Sequence, residues 1–277
     1  MSPQQYRFDT PGPLAVHIRN AAGSISVRAE DRSDSTVELS PIGGSAAREL
    51  VERTDVRHSP DSARLDIEVP ERRFGGGGRV AVSVVVPTGS TLAVRTASAD
   101  TDCTGTLGGL MAASASGDLR TADVHGEVSI NTASGDVRVG AVTGATTVRT
   151  ASGDISIDRT DGRCEATTAS GDLQVGRAGA DVRAKSASGD IRVAEVVAGR
   201  VEITTVSGDV SLDVRPGALV WLDLVTLSGR TRSALDEQAE TPATGATLEI
   251  AAKTVSGDIS IGRASLARPS HSEGAST

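Results

Sequence analysis

"TASGDVRVG" (132–140), "TASGDISID" (150–158) and "TASGDLQVG" (168–176) are one nine-residue phrase written three times, at a fixed step of eighteen. The opening Thr or Ser of the phrase recurs at Thr96, Ser114, Thr132, Thr150, Thr168, Ser186, Thr205, Thr226 and Thr254. The first five steps are eighteen residues, and the later ones lengthen to nineteen, twenty-one and twenty-eight. Inside each copy the sixth and eighth positions are apolar: Val137 and Val139, Ile155 and Ile157, Leu173 and Val175, Ile191 and Val193. They alternate with Arg138, Ser156, Gln174 and Arg192, the period of a strand with one buried face. A second alternating segment closes each copy, with Val128 and Ile130, Thr146 and Val148, Val182 and Ala184, Val201 and Ile203, and Leu222 and Leu224.

Two such strands cannot bury their apolar faces alone. Stacked copies close one continuous core and pair each backbone group with the copies above and below. The fold class that follows is all-β, a parallel β-solenoid with rungs of about eighteen residues and two strands each. Nine rungs at about 4.8 Å each predict a rod roughly 45 Å long. Glycine in the phrase permits a tight corner, and the adjacent Ser and Asp can hydrogen-bond the turn backbone. The alanines at its second position (Ala115, Ala133, Ala151, Ala169, Ala187) are read as small because the corner is narrow.

Solenoids need caps over their terminal rungs. Residues 1–95 read as an N-terminal β-rich cap with a first divergent rung, 96–261 as the solenoid repeats, and 262–277 as a disordered tail. "NAAGSISVRA" (20–29) is a divergent copy with Ser24 where Asp is expected. "ARLDIEVP" and "VAVSVVVP" are strands separated by the flexible stretch "ERRFGGGG". "SAARELVER" (45–53) predicts a short helix with Ser45 as its N-cap. "DEQAETPATG" (236–245) predicts a polar loop that interrupts the rungs.

Only four residues are aromatic, Tyr6, Phe8, Phe74 and Trp221, so the core must be aliphatic. The net charge of −8 has the wrong sign for generic binding to nucleic acid or an anionic membrane. No run approaches the roughly eighteen apolar residues of a membrane span. "MSPQQYRFDTPGPL" has no basic region followed by an apolar run, so a cytoplasmic location is the expectation. Cys103 and Cys164 fall at inward positions three rungs apart, roughly 14 Å along the axis. That is too far for a disulfide, and they read as buried free thiols.

The serial T-A-S-G-D-[VIL]-x-[VI] copies, preceded by "VPTGSTLAVRTASAD" (86–100), resemble the bacterial DUF4097 β-strand-repeat proteins, a family provisionally labelled adhesins. The resemblance covers about residues 14–261. It implies a β-solenoid fold, no established enzymatic activity and no catalytic residues to carry over; no cofactor is expected. It also supplies the alternative of a surface adhesin.

The main candidate for chemistry is the row Asp100, Asp118, Asp136, Asp154, Asp172, Asp190, Asp209 and Asp258, one carboxylate per rung. Carboxylates about 5 Å apart repel by roughly 0.8 kcal/mol in water and more at a protein surface, so something must offset the repulsion. The structural reading is turn hydrogen bonding plus arginines two positions on (Arg120, Arg138, Arg192). The functional reading is a cation-binding edge like that of glycine-rich β-rolls, with Asp118, Asp136, Asp154, Asp172 and Asp190 as candidate metal ligands. Those β-rolls need G-G-x-G-x-D, and these rungs offer a single Gly before the Asp.

No enzyme is expected. His17, His58, His125 and His271 are scattered over the cap, a rung turn and the tail, and "FGGGG" lacks the Lys-Ser/Thr of a phosphate loop. What remains is a non-enzymatic scaffold that binds a protein partner or itself. The candidate address is Trp221, which the parity of "GALVWLDLVT" turns outward. Counting along the rungs places it between Arg200 and Glu249, as a cation–π ladder or as an interface residue.

Overall fold

The computed structural model describes residues 3–70, 78–235 and 247–264. The expected loops at 71–77 and 236–245 and the tail beyond 264 lie outside the described residues. The chain forms two long sheets, of thirteen and twelve strands, enclosing one aliphatic core. The first sheet takes the strand that follows each S-G-D corner, and the second takes the strand that precedes it.

Pairing between rungs is parallel, and its register holds except for shifts between Thr121 and Asp123 and between Val193 and Val196. In the first sheet Val137 lies beside Ile155, then Leu173, Ile191, Val210 and Ile259. In the second sheet Val128 leads to Thr146, Cys164, Val182, Val201 and Ile250. These columns are buried because each strand turns alternate residues inward, and β-branched residues suit the pleated surface. Cys103 and Cys164 are both inward and free, but they stand in opposite sheets.

The rungs do not stack in chain order at either end. The last rung written, Thr247–Ser256 with Ile259–Arg263, lies between the rung of Gly199–Thr204 and the strand Leu219–Ser228. Leu219–Ser228 and Thr231–Ser233 are therefore the terminal strands of the second and first sheets. At the other end Ala15–Asn20 and Gly23–Glu30 are inserted between the rung of Thr91–Thr96 and the rung built from Arg64–Glu68 and Arg79–Pro87.

Beyond that rung the parallel stack is closed by antiparallel strands. Asp34–Ile42 pairs with Arg79–Pro87, Gln4–Asp9 pairs with Asp34–Ile42, and Asp55–Ser59 pairs with Arg64–Glu68. Phe8 meets His58 across the two sheets at 5.0 Å between ring centres. The helix Ser45–Glu52 lays Ala47, Leu50 and Val51 on this end. Its N-cap is Gly44, one residue earlier than expected: the Gly44 carbonyl accepts the Arg48 N–H, and the Ser45 side chain caps nothing.

The inward columns predict the response to charge. Val139 and Ile157 are neighbours in one column and each is at most 2% exposed. Val139→Asp or Ile157→Asp buries an unpaired carboxylate at a cost of several kcal/mol, a large share of the roughly 5–15 kcal/mol that holds a typical domain. Urea unfolding followed by circular dichroism should show either variant unfolded or shifted far to low urea. An unchanged transition would place these residues outside the core.

Candidate functional site

The aspartate row is bonded along the rod rather than within each turn. Oδ1 of Asp100 accepts the backbone N–H of Asp118 at 3.0 Å, and Asp118 does the same for Asp136 at 3.0 Å. The bond repeats from Asp136 to the amides of Asp154, Asp172, Asp190, Asp209 and Asp258 in turn, at 2.8–3.1 Å. Asp258 ends the series by accepting the N–H of Arg230 at 2.9 Å. A carboxylate that takes an amide proton makes a charge-assisted bond, which offsets the repulsion between neighbours in an exposed, screened row. Of the three arginines expected to help, Arg138 reaches a carboxylate of the row, Asp136, at 3.3 Å.

Asp118, Asp136, Asp154, Asp172 and Asp190 thus each have one oxygen committed to backbone. Among the described residues no group of three His, Cys, Asp or Glu is disposed to hold a metal ion. His125 is exposed, His58 packs against Phe8 with the rings tilted by 41°, and His17 lies on the outer face of the second sheet. His271 lies outside the described residues. The alanines of the phrase are exposed at every copy, so a narrow corner is not why they are small. With the exposed serines beside them they form a shallow polar edge, joined rung to rung by Ser152, Ser170, Ser188, Ser207 and Ser256.

At the C-terminal end the two sequence signals part company. Arg200 and Glu249 are adjacent and ion-paired at 3.3 Å, and Trp221 lies beyond Glu249. Trp221 is therefore not between them, because the last rung of the chain is inserted ahead of the strand that carries it. The strands that carry Arg200 and Trp221 stand two rungs apart, about 9.6 Å. Arg200 serves Glu202 as well, at 3.1 Å. The hydrogen-bonded Arg183 guanidinium holds the Glu202 carboxyl below its ordinary range, against the smaller opposing effect of burial.

Around Trp221 the outer face is mixed, with Glu249 across from it and the Lys253–Asp223 pair at 3.6 Å next to it. Val206, Val255 and Leu227 occupy the phrase position that is alanine in the earlier rungs, and all three are exposed, with Val225, Trp221 and Leu219 farther along the same outer side. The sequence carried the signal in "TVSGD", "TVSGD" and "TLSGR", where larger residues replace the alanine.

The architecture defines a two-sheet parallel β-solenoid whose rungs are locked by an aspartate column. The chain belongs to the Toastrack DUF4097 family, whose profile matches residues 15–262. No curated protein matches it. Among solved structures it is similar to a provisionally assigned adhesin of Bacteroides fragilis, at 12% identity and a TM-score of 0.45, over 94% of this chain and 97% of that one. A provisionally assigned lipid-binding protein of Parabacteroides distasonis shows 14% identity and a TM-score of 0.45, over 95% of this chain and 97% of the other. A provisionally assigned cell adhesion protein of Clostridium sporogenes shows 10% identity and a TM-score of 0.25, over 95% and 100%.

The column makes a graded prediction. Asp154→Ala strands the Asp172 amide and should cost about 1 kcal/mol, whereas Asp154→Asn keeps an acceptor and removes a charge from the row. Urea midpoints should place the Asn variant near wild type and the Ala variant below it. Equal losses would mean that the carboxylate does not carry the bond.

The thiols give a second prediction. Burial, reinforced by the charge of Asp102, pushes Cys103 up to about 12, and burial with Glu165 does the same for Cys164. A folded value above the unfolded one favours the protonated, folded form. The contribution is full below pH 9 and declines as pH rises toward 12. A Cys103→Ala, Cys164→Ala variant should lose less stability than wild type across that window in thermal melts. Parallel pH profiles would contradict the assignment.

Proposed function

We propose that the protein is a non-enzymatic binding module, a stiff rod that presents a protein-contact face near the C-terminal end of its stack. One observation carries the reading. Among the described residues the exposed large apolar side chains are Met111, Val206, Leu219, Trp221, Val225, Leu227 and Val255. All except Met111 lie on the last three rungs in space, on the outer side of the second sheet. Exposed apolar side chains gathered in one place mark contact sites, and an exposed tryptophan is a frequent anchor in them.

Charged side chains run along the same face and rim these residues. Arg149 pairs with Glu165 at 2.8 Å, Arg183 with Glu202 at 2.7 Å, Arg200 with Glu249 at 3.3 Å and Lys253 with Asp223 at 3.6 Å. Such exposed pairs contribute little to stability but keep the face hydrated. The net charge of −8 favours a protein partner over nucleic acid.

The test uses Val206→Lys with Val255→Lys, two exposed positions whose substitution should leave the fold intact. Met111→Lys, equally exposed but far along the rod, is the control. Tagged protein should capture from native lysate a partner that survives Met111→Lys and is lost with the double variant. Identical capture by all three proteins would remove the face from consideration.

A further inference from the structure

We infer that the C-terminal end of the rod joins two copies of this chain tail to tail, by antiparallel pairing of strand Leu219–Ser228 with its own mate about a two-fold axis. The inference shares Trp221 and Leu227 with the face proposed above, and it differs in its occupant, a second copy, which sedimentation of the purified chain reads without any partner from lysate.

The two ends of the rod differ. The N-terminal end is closed by antiparallel strands and the helix Ser45–Glu52. Among the described residues nothing pairs with the outer edge of Leu219–Ser228 or Thr231–Ser233. Val220, Leu222 and Leu224 face the core but are only half-buried, whereas Leu248, Ile250 and Ala252 one rung inward are fully buried. Ten residues of free strand edge beside a partly open core row are a template for another strand.

A lone extended peptide would lengthen one sheet and leave the other edge open. Covering both edges and the row between them takes a body that itself ends in a two-stranded rung, and a second copy is such a body. The face sets the strength. Ten residues at about 3.3 Å span about 33 Å in the second sheet, but the terminal strand of the first sheet is three residues, about 10 Å. With each sheet about 10 Å deep, roughly 430 Å² per copy gives about 860 Å² in all, the size of a weak, concentration-dependent association.

The direction of joining follows from Arg230. Every rung from Thr96 to Thr205, and the rung of Thr254, places an aspartate where the next rung donates its amide. The terminal rung has Arg230 there, in "TLSGR", so it offers no acceptor for a further parallel rung. Antiparallel pairing needs none.

The register is also constrained. Inward residues must meet inward residues, so the axis passes through a residue. Centring it on Asp223 would set that carboxylate against its mate, a repulsive pair. Centring it on Leu224 sets Leu224 on Leu224, and Trp221 against Leu227 of the second copy. These last are 58% and 80% exposed in the single chain.

Sedimentation equilibrium carried up to hundreds of micromolar, on the order expected of a weak interface, should approach twice the 28.1 kDa chain mass. Leu227→Lys, too exposed to unfold the rod, should weaken the dimer by about tenfold or more. The double variant Trp221→Glu, Leu227→Lys should restore it, because each glutamate then meets a lysine of the mate. Under mild oxidant Leu224→Cys should form a covalent dimer, since opposed Cα atoms of an antiparallel pair lie about 4.5–5.5 Å apart, within disulfide reach. Leu222→Cys should not, and the buried Cys103 and Cys164 do not compete. A monomeric wild type, a dimer indifferent to Leu227→Lys, a double variant that stays weak, or equal cross-linking at 222 and 224 would each overturn the proposal.

Discussion

An amide handed across each corner to the carboxylate of the rung before it is the bond on which the rest of this rod depends. Within the strands, parallel ladders satisfy the backbone. The corners are where a chain that turns sharply would leave polar groups without partners. Here three successive amides are satisfied by neighbouring rungs: Ser170 donates to the Ala151 carbonyl at 3.0 Å, Gly171 to that of Ser188 at 3.1 Å, and Asp172 to Oδ1 of Asp154 at 2.8 Å. The glycine between them is required. At Gly171 φ is +137°, and an added methyl would collide with the Gly153 carbonyl oxygen. Each corner therefore sits tightly on the last, and that contact keeps the phrase so constant.

The same bond says where the rod stops. The column begins at Asp100, whose neighbour toward the cap is Ser24, and ends with Asp258 accepting from Arg230. Between those points the surface is occupied by ion-paired ladders and small polar residues. Beyond them the chain changes character: antiparallel closure and a helix at one end and, among the described residues, strand edges without a partner and exposed apolar side chains at the other. Function is read most readily where the repeat stops being satisfied by itself.

The period of eighteen and the alternation around it made the sheets, their inward residues and the aliphatic core legible from the chain alone. What they could not supply was stacking order. A parallel edge accepts any rung of suitable pattern, and the long step from Thr226 to Thr254 leaves enough chain to double back. Counting rungs in chain order therefore set Trp221 between Arg200 and Glu249, when it lies outside both. The one-letter cue was Arg230 in the place of aspartate, whose meaning depends on knowing that the aspartate serves the next rung. Cys103 and Cys164 were legible as buried, but inward parity is the same in both sheets and does not say which sheet a residue joins. The alanines misled for a related reason: a small residue at a turn is compatible with crowding and with exposure alike.

Hydrogen exchange read residue by residue with nuclear magnetic resonance reaches the central bond most directly. If the carboxylate column locks the rungs, the amides of Asp136, Asp154, Asp172 and Asp190 are protected although their side chains face solvent. Their exchange should then be as slow as that of the adjoining strands. Exchange of those amides at the rate of an open turn, with the strands still protected, would contradict the account.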